Sequence, residues 1–220
     1  MKKQYKCVAF DLDGTLIDTS EGIYSSILYA VKENGLRELT DEELHTFIGP
    51  PLQRTFNKYY GLTGDDLEKV IASYRYIYKK SEMFRARPYD GIFDLLSSLK
   101  ELGITPVVAT YKPQDSAERV LKHFGFDKYT DLFFGADNND VLKKSDIIRS
   151  AVMAAGISDL SEAVMIGDSD NDANGARDAG VDFIGVTYGF GFRTKEDVDK
   201  FPNVYASGST YDLIDYFKGK

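Results

Sequence analysis

A single cysteine, two histidines and no tryptophan stand among the 220 residues. With Cys7 alone there is no disulfide and no thiolate metal cluster. His45 and His123 are too few for a zinc centre of the histidine type. Basic runs are also missing. The formal net charge is −8, and no lysine- or arginine-rich stretch is long enough to make a nucleic-acid or lipid patch. No apolar stretch approaches membrane-spanning length. The apolar run Cys7–Phe10, behind Met1-Lys2-Lys3-Gln4-Tyr5-Lys6, is too short for a secretory signal. The expectation is a soluble cytoplasmic protein without nucleic-acid or membrane partners, and the composition leaves oligomeric state open. An acidic chain that binds an anion must concentrate positive charge locally, and a bound cation is one way to do so.

What is present is enough apolar content for a packed core, 43% of the residues, in one large domain or a core domain with a smaller insert. Continuous apolar runs suit buried parallel strands at Cys7–Phe10, Thr105–Thr110, Leu132–Ala136, Ala163–Ile166 and Phe183–Thr187. Helical spacing separates them: Leu95, Leu96 and Leu99 before Gly103; Ala117, Val120, Leu121 and Phe124 before Gly125; Ile147, Ile148, Ala151, Val152 and Ala155 before Gly156. This alternation predicts an α/β fold with a doubly wound, Rossmann-like parallel sheet. From about Thr19 to Arg85 the rhythm changes to helices alone. Ile23, Ile27, Leu28 and Val31 share one face. Thr40-Asp41-Glu42-Glu43 is a capping box, and Gly49-Pro50-Pro51 is a break. Leu52, Thr55, Phe56 and Tyr59, then Leu67, Val70, Ile71, Tyr74 and Ile77, continue the helical pattern.

The chemistry-bearing residues sit where strands run out. Asp11 and Asp13 follow the first strand two positions apart, so their side chains share one side of an extended chain. Gly14 and Thr15 then turn it. A calcium loop of EF-hand type would need Gly at its sixth position and Glu at its twelfth, where this chain has Leu16 and Gly22. A second acidic group, Asp168-Ser169-Asp170-Asn171-Asp172, follows Ala163–Ile166 and fails the same test at Ala173. If the two strands are neighbours, Asp11 and Asp168 converge, and hard divalent cations favour such carboxylates. Thr110 reads as a phosphate-binding hydroxyl or as an ordinary helix cap. Lys144, with Lys143, reads as a lysine reaching the strand ends or as a surface pair.

Asp11-Leu12-Asp13-Gly14-Thr15, Thr110, Lys144 and Gly167-Asp168 with Asp172, in that order, resemble the haloacid dehalogenase superfamily in its phosphatase branch with a helical cap. Within it, Gly49-Pro50-Pro51-Leu52 and Thr110-Tyr111-Lys112 look like phosphoglycolate-phosphatase-type members. The resemblance implies a catalytic core at 1–17 and 87–220 and an α-helical cap at 18–86. It implies that Asp11 is a nucleophile forming a phospho-aspartate and that Asp13 is the general acid and base. Mg²⁺ would be held by the side chains of Asp11 and Asp168 and by the Asp13 backbone carbonyl, with Asp172 in support through water or hydrogen bonds. Thr110 would hold the phosphoryl group and Lys144 would offset its charge. Lys144 fits better than Lys143, because the superfamily's lysine precedes a small residue or proline and Ser145 is small. Arg54 and Gly14 are the candidate substrate contacts, with Arg85 and Arg87 at the return from the insert. The implied activity is a phosphatase for a small phosphomonoester, phosphoglycolate-phosphatase-like. A 5'-nucleotidase, a pyrophosphatase and a phosphosugar mutase share these core residues. A dehalogenase needs neither Asp13 nor the Asp168–Asp172 pair.

Overall fold

The computed structural model describes residues 3–48, 52–137 and 141–219. The runs Cys7–Phe10 and Ala163–Gly167 are buried at every position. A strand achieves that only in a sheet covered on both faces. The strands are β1 (Cys7–Phe10), β2 (Ile17–Asp18), β3 (Arg87–Pro88), β4 (Thr105–Pro113), β5 (Phe133–Ala136), β6 (Ala163–Gly167), β7 (Asp182–Val186) and β8 (Tyr205–Ser207). Six of them form one parallel sheet in the order β5-β4-β1-β6-β7-β8. The chain winds outward from β1 through β4 to β5, then starts again at β6 on the other side. The β1–β6 boundary is therefore the topological switch point, where open α/β sheets bind ligands beyond the carboxyl ends of their strands. Phe10 is in register with both Val108 of β4 and Ile166 of β6.

The helices are α1 (Ser20–Glu33), α2 (Asp41–His45), α3 (Leu52–Tyr60), α4 (Gly64–Lys80), α5 (Ile92–Glu101), α6 (Gln114–His123), α7 (Lys144–Ala154), α8 (Asp170–Ala179), α9 (Lys195–Val198) and α10 (Thr210–Lys218). Side chains alternate across β1. Cys7 and Ala9 join the core made by Ile147, Ile148, Ala151 and Val152 of α7 with Ala173, Ala176 and Ala179 of α8. Elsewhere in the core unit, α5 buries Leu95, Leu96 and Leu99 and packs on β4 and α10.

Three features depart from the sequence reading. β4 runs past Thr110 to Pro113, with a register shift against β5 between Ala109 and Pro113, so Thr110 lies inside the strand. β8 is an edge strand of three residues, two of them half-buried, too short to show an alternation. β2 and β3 pair antiparallel over two residues each, Ile17 with Pro88 and Asp18 with Arg87.

The chain divides into two compact units, Met1–Asp18 with Arg87–Lys220, and Thr19–Ala86. The second has its own core of Ile27, Ala30, Val31, Phe47, Phe56, Val70 and Ile71, with Phe47 edge-on to Phe56 at 4.9 Å. The Thr40 hydroxyl accepts from Glu43 N (3.2 Å) and the Glu43 carboxylate accepts from Thr40 N (3.0 Å), closing the capping box at the start of α2. Gly49, Pro50 and Pro51 lie outside the described residues. Among the described residues no helix is long and apolar enough to cross a membrane. Phe56 is fully buried at the centre of the helical unit, so Phe56→Ala should cost about 3–5 kcal/mol of that unit's stability. Urea denaturation checks this, and a loss under about 1 kcal/mol would contradict the packing.

Candidate active site

Asp11 is the first residue beyond β1, and its N–H still donates to the Ile166 carbonyl of β6 at 2.9 Å. That bond sets the backbone of Asp11 against the end of β6, one residue pair short of Asp168. Lys144 is the first residue of α7 and is 3% exposed, whereas Lys143 is exposed. The surface-pair reading therefore holds for Lys143 and fails for Lys144. Its stem lies along α8 at Gly175, where a Cβ would stand 2.5 Å from Lys144 Cγ. Any larger residue there would push the lysine aside.

The Lys144 ammonium donates to Asp11 Oδ1 at 2.6 Å and stands 2.7 Å from Asp172 Oδ1. Asp172 Oδ2 accepts from Ser169 N (3.1 Å) and Ser169 Oγ (2.6 Å) as the N-terminal lock of α8. Asp172 thus supports the site through an ion pair to Lys144. Asp168 Oδ2 accepts from Phe190 N (2.7 Å) and Gly191 N (3.0 Å), and Oδ1 from the Thr15 hydroxyl at 3.4 Å. Gly14 has φ of +85°, and a Cβ on it would lie 2.4 Å from Asp168 Oδ2, so the turn after Asp13 closes on Asp168 only with glycine there.

Asp13 is half-buried and receives Lys112 Nζ on both oxygens, at 2.9 and 3.0 Å. Thr110 is buried, and its hydroxyl accepts from Lys112 N at 3.2 Å. Tyr111, between them, accepts the Lys144 N–H on its hydroxyl at 2.8 Å. Arg54 is exposed on α3 in the helical unit. Arg85 pairs with Glu21 and Glu82, and Arg87 with Asp18. Sequence reasoning overlooked three participants: Lys112, Ser169 and the Phe190–Gly191 amides. Two signals were available. Lys112 is two residues from Thr110 on one strand, hence on the same side, and Ser169-Asp170-Asn171-Asp172 has the spacing of a capping box.

Burial sets the electrostatics. Desolvation pushes the Asp11 carboxyl up to about 6; Lys144 pulls it down, and the Asp172 and Asp13 carboxylates raise it again. Desolvation pushes Asp168 up to about 7, the charges of Asp172 and Asp11 adding to it and the Gly191 and Phe190 amides opposing. Burial works against the ammonium of Lys144, but Asp11 and Asp172 overcome it and hold the group above the usual lysine range.

The haloacid dehalogenase-like hydrolase family model matches residues 8–186. The chain belongs to that family. A 5'-nucleotidase from Pseudomonas aeruginosa is 36% identical over 86% of this chain and 85% of its own length. Pyrophosphatase PpaX from Halalkalibacterium halodurans is 31% identical over 94% of each chain. A phosphoglycolate phosphatase from Agrobacterium fabrum is 33% identical over 82% and 80%. In structure, a haloacid dehalogenase-like hydrolase from Streptococcus pneumoniae superimposes with a TM-score of 0.87 at 28% identity, covering 97% of this chain and 98% of that one.

In this family member, the carboxylate oxygens of Asp11, Asp168 and Asp172 lie within 4.8 Å of one another, all buried. They face one lysine. The trio is short of positive charge, and its all-oxygen donors suit a hard divalent cation such as Mg²⁺. A pH test follows. The folded-state values of Asp11 and Asp168 stand above the ordinary 3.8, so the folded metal-free protein binds protons more tightly than the unfolded chain. Its stability should then fall as pH rises from about 4 to about 7. Adding Mg²⁺ at neutral pH should recover the loss, with little effect near pH 5. Thermal melts with and without EDTA check this, and a Tm indifferent to Mg²⁺ at neutral pH would count against a cation site.

Proposed function

We propose that the protein is a magnesium-dependent phosphatase that hydrolyses a small phosphomonoester through a phospho-aspartate on Asp11. The observation that supports it most is the Lys144 ammonium bridging Asp11 and Asp172 beside Asp168, at the switch point of the sheet. A carboxylate attacking a phosphate dianion meets like-charge repulsion, and Lys144 opposes it from 2.6 Å. Asp11 and Asp168, with the Asp13 backbone carbonyl, would hold Mg²⁺. The chemistry a cation supplies there is neutralisation of charge on the transferring phosphoryl oxygens.

In the first half of the reaction a carboxylate oxygen of Asp11 bonds to phosphorus as the bond from phosphorus to the leaving oxygen breaks. Asp13 gives that oxygen a proton. In the second half water attacks phosphorus, Asp13 takes its proton, and Asp11 is released with orthophosphate. Thr110 holds the phosphoryl group through its hydroxyl. Asp11→Asn should remove turnover while keeping the fold, because an amide is a poor nucleophile. Asp13→Asn should lose far more rate on alkyl phosphates than on p-nitrophenyl phosphate, whose leaving group needs no proton. Steady-state assays of both variants test this; wild-type rates in Asp11→Asn of verified mass would refute the mechanism.

For the substrate we propose 2-phosphoglycolate, a small anionic metabolite, with the helical unit as the selecting cap and Arg54 as partner of the carboxylate. An arginine can take a carboxylate through two parallel hydrogen bonds. A nucleoside monophosphate is the second reading. It is favoured by the similarity to the Pseudomonas enzyme. Arg54→Ala should raise KM for phosphoglycolate with little change on p-nitrophenyl phosphate. Comparing kcat/KM across both substrate classes decides. An equal effect on both test substrates, or a clear preference for a nucleotide, would turn the assignment to the second reading.

A further inference from the structure

The segment that follows β7, Tyr188-Gly189-Phe190-Gly191-Phe192, folds back over Asp168. Phe190 N and Gly191 N donate to Asp168 Oδ2 at 2.7 and 3.0 Å, and Phe192 N donates to the Asp168 backbone carbonyl at 2.7 Å. Successive amides thus hold both the side chain and the main chain of one aspartate. Close approach requires both glycines. A Cβ on Gly189 would overlap the Gly14 carbonyl oxygen and stand 2.5 Å from Asp168 Cβ, and one on Gly191 would overlap the Asp168 carbonyl oxygen. The segment is fastened at both ends. Phe192 is buried beside Phe183 and Phe201, with ring centres 6.3 and 5.6 Å away. The Tyr188 hydroxyl donates to the Thr15 carbonyl at 3.1 Å, and its ring lies 4.8 Å from that of Tyr89.

These bonds give the two oxygens of Asp168 different duties. A carboxylate oxygen has about two acceptor sites, and the two amides fill both on Oδ2. Among the described residues, Oδ1 accepts only from the Thr15 hydroxyl, at 3.4 Å. A carboxylate held this way offers a cation one oxygen freely, and a second only by giving up the amides. Mg²⁺ and Ca²⁺ differ in what they demand. Mg²⁺ takes a compact, near-octahedral shell, whereas Ca²⁺ takes more oxygens at longer distance, often both from one carboxylate, in a flexible geometry. The segment also rests on Gly14, directly after the Asp13 carbonyl assigned to the cation above. It therefore fixes the spacing between two of the proposed ligands.

We propose that Tyr188-Gly189-Phe190-Gly191 is a positioning segment for the cation site: it restricts Asp168 to ligation through one oxygen and so biases the site toward Mg²⁺ against Ca²⁺. The proposal rests on the cation assignment of the reading above. It does not depend on the substrate or on the phospho-aspartate.

The test needs no turnover. Metal-free protein is titrated with Mg²⁺ and, separately, with Ca²⁺, and the rise in Tm gives the affinity for each ion. Gly189→Ala should push the segment off Asp168 and weaken Mg²⁺ binding by about tenfold or more, the usual scale for losing the hydrogen-bond partner of a metal ligand. Ca²⁺ should lose much less, because a loosened Asp168 can offer it both oxygens, so the ratio of Mg²⁺ to Ca²⁺ affinity falls. Tyr188→Phe keeps the ring and removes only the bond to Thr15. It should move the ratio the same way by a smaller factor, and it decides alone if Gly189→Ala does not fold. A ratio equal to that of wild type in either folded variant, equal losses for both ions included, would leave the segment a purely structural role and overturn the proposal. Wild type that binds neither ion would overturn the cation site itself. Turnover by Asp11→Asn beside a shifted ion ratio would overturn the phospho-aspartate and leave the role of the segment standing.

Discussion

A single ammonium, Lys144 Nζ, sits 2.6 Å from Asp11 and 2.7 Å from Asp172 with almost no access to water. Burying three charges together costs several kcal/mol per ion unless each is well paired. The surrounding structure reads as a set of conditions for that pairing. α7 begins at the lysine itself, α8 has glycine where the lysine stem passes, and Ser169 holds the far oxygen of Asp172. Remove Lys144, and Asp11 and Asp172 would be left as uncompensated buried charges beside Asp168, a situation that costs more than the pair contributes.

The pairing is incomplete in one respect. Of three buried carboxylates close together, Lys144 pairs with Asp11 and Asp172. Among the described residues, Asp168 is held by two amides and a hydroxyl. Amide dipoles orient a carboxylate without cancelling its charge, so the residual negative charge gathers on the Asp168 side of the site. That asymmetry matches a division of labour in which Lys144 steadies the nucleophile and the Asp168 side faces a divalent cation.

The α/β class and its parallel sheet were legible because both faces of β1 and β6 are buried, which forces continuous apolar runs. The capping box at Thr40 and Glu43 was legible because two side chains at fixed spacing close it locally. The edge strand Tyr205–Ser207 was not, since three residues, two of them half-buried, are too few to carry a period. Asp11, Asp13 and Asp168 stood out because acids directly after apolar strands are conspicuous. Lys112 was read only as part of Thr110-Tyr111-Lys112, with no contact assigned to it. Its significance comes from Asp13, which is far away in sequence and near only after β1 and β4 pair. Thr110 was misjudged as a strand end for a related reason: the register shift between β4 and β5 is a tertiary event with no local mark.

The division of roles between Asp11 and Asp13 also bears on why relatives 31–36% identical carry different substrate names. In the mechanism proposed, phosphoryl transfer uses Asp11, Lys144, Thr110 and the cation, and these touch only the part common to such substrates, the transferred phosphoryl group. The leaving group meets Asp13 first. Whatever controls Asp13 therefore controls which leaving group is expelled quickly, before any contact from the helical unit is counted. Discrimination built this way acts on kcat rather than on binding alone, because it is realised when the proton moves.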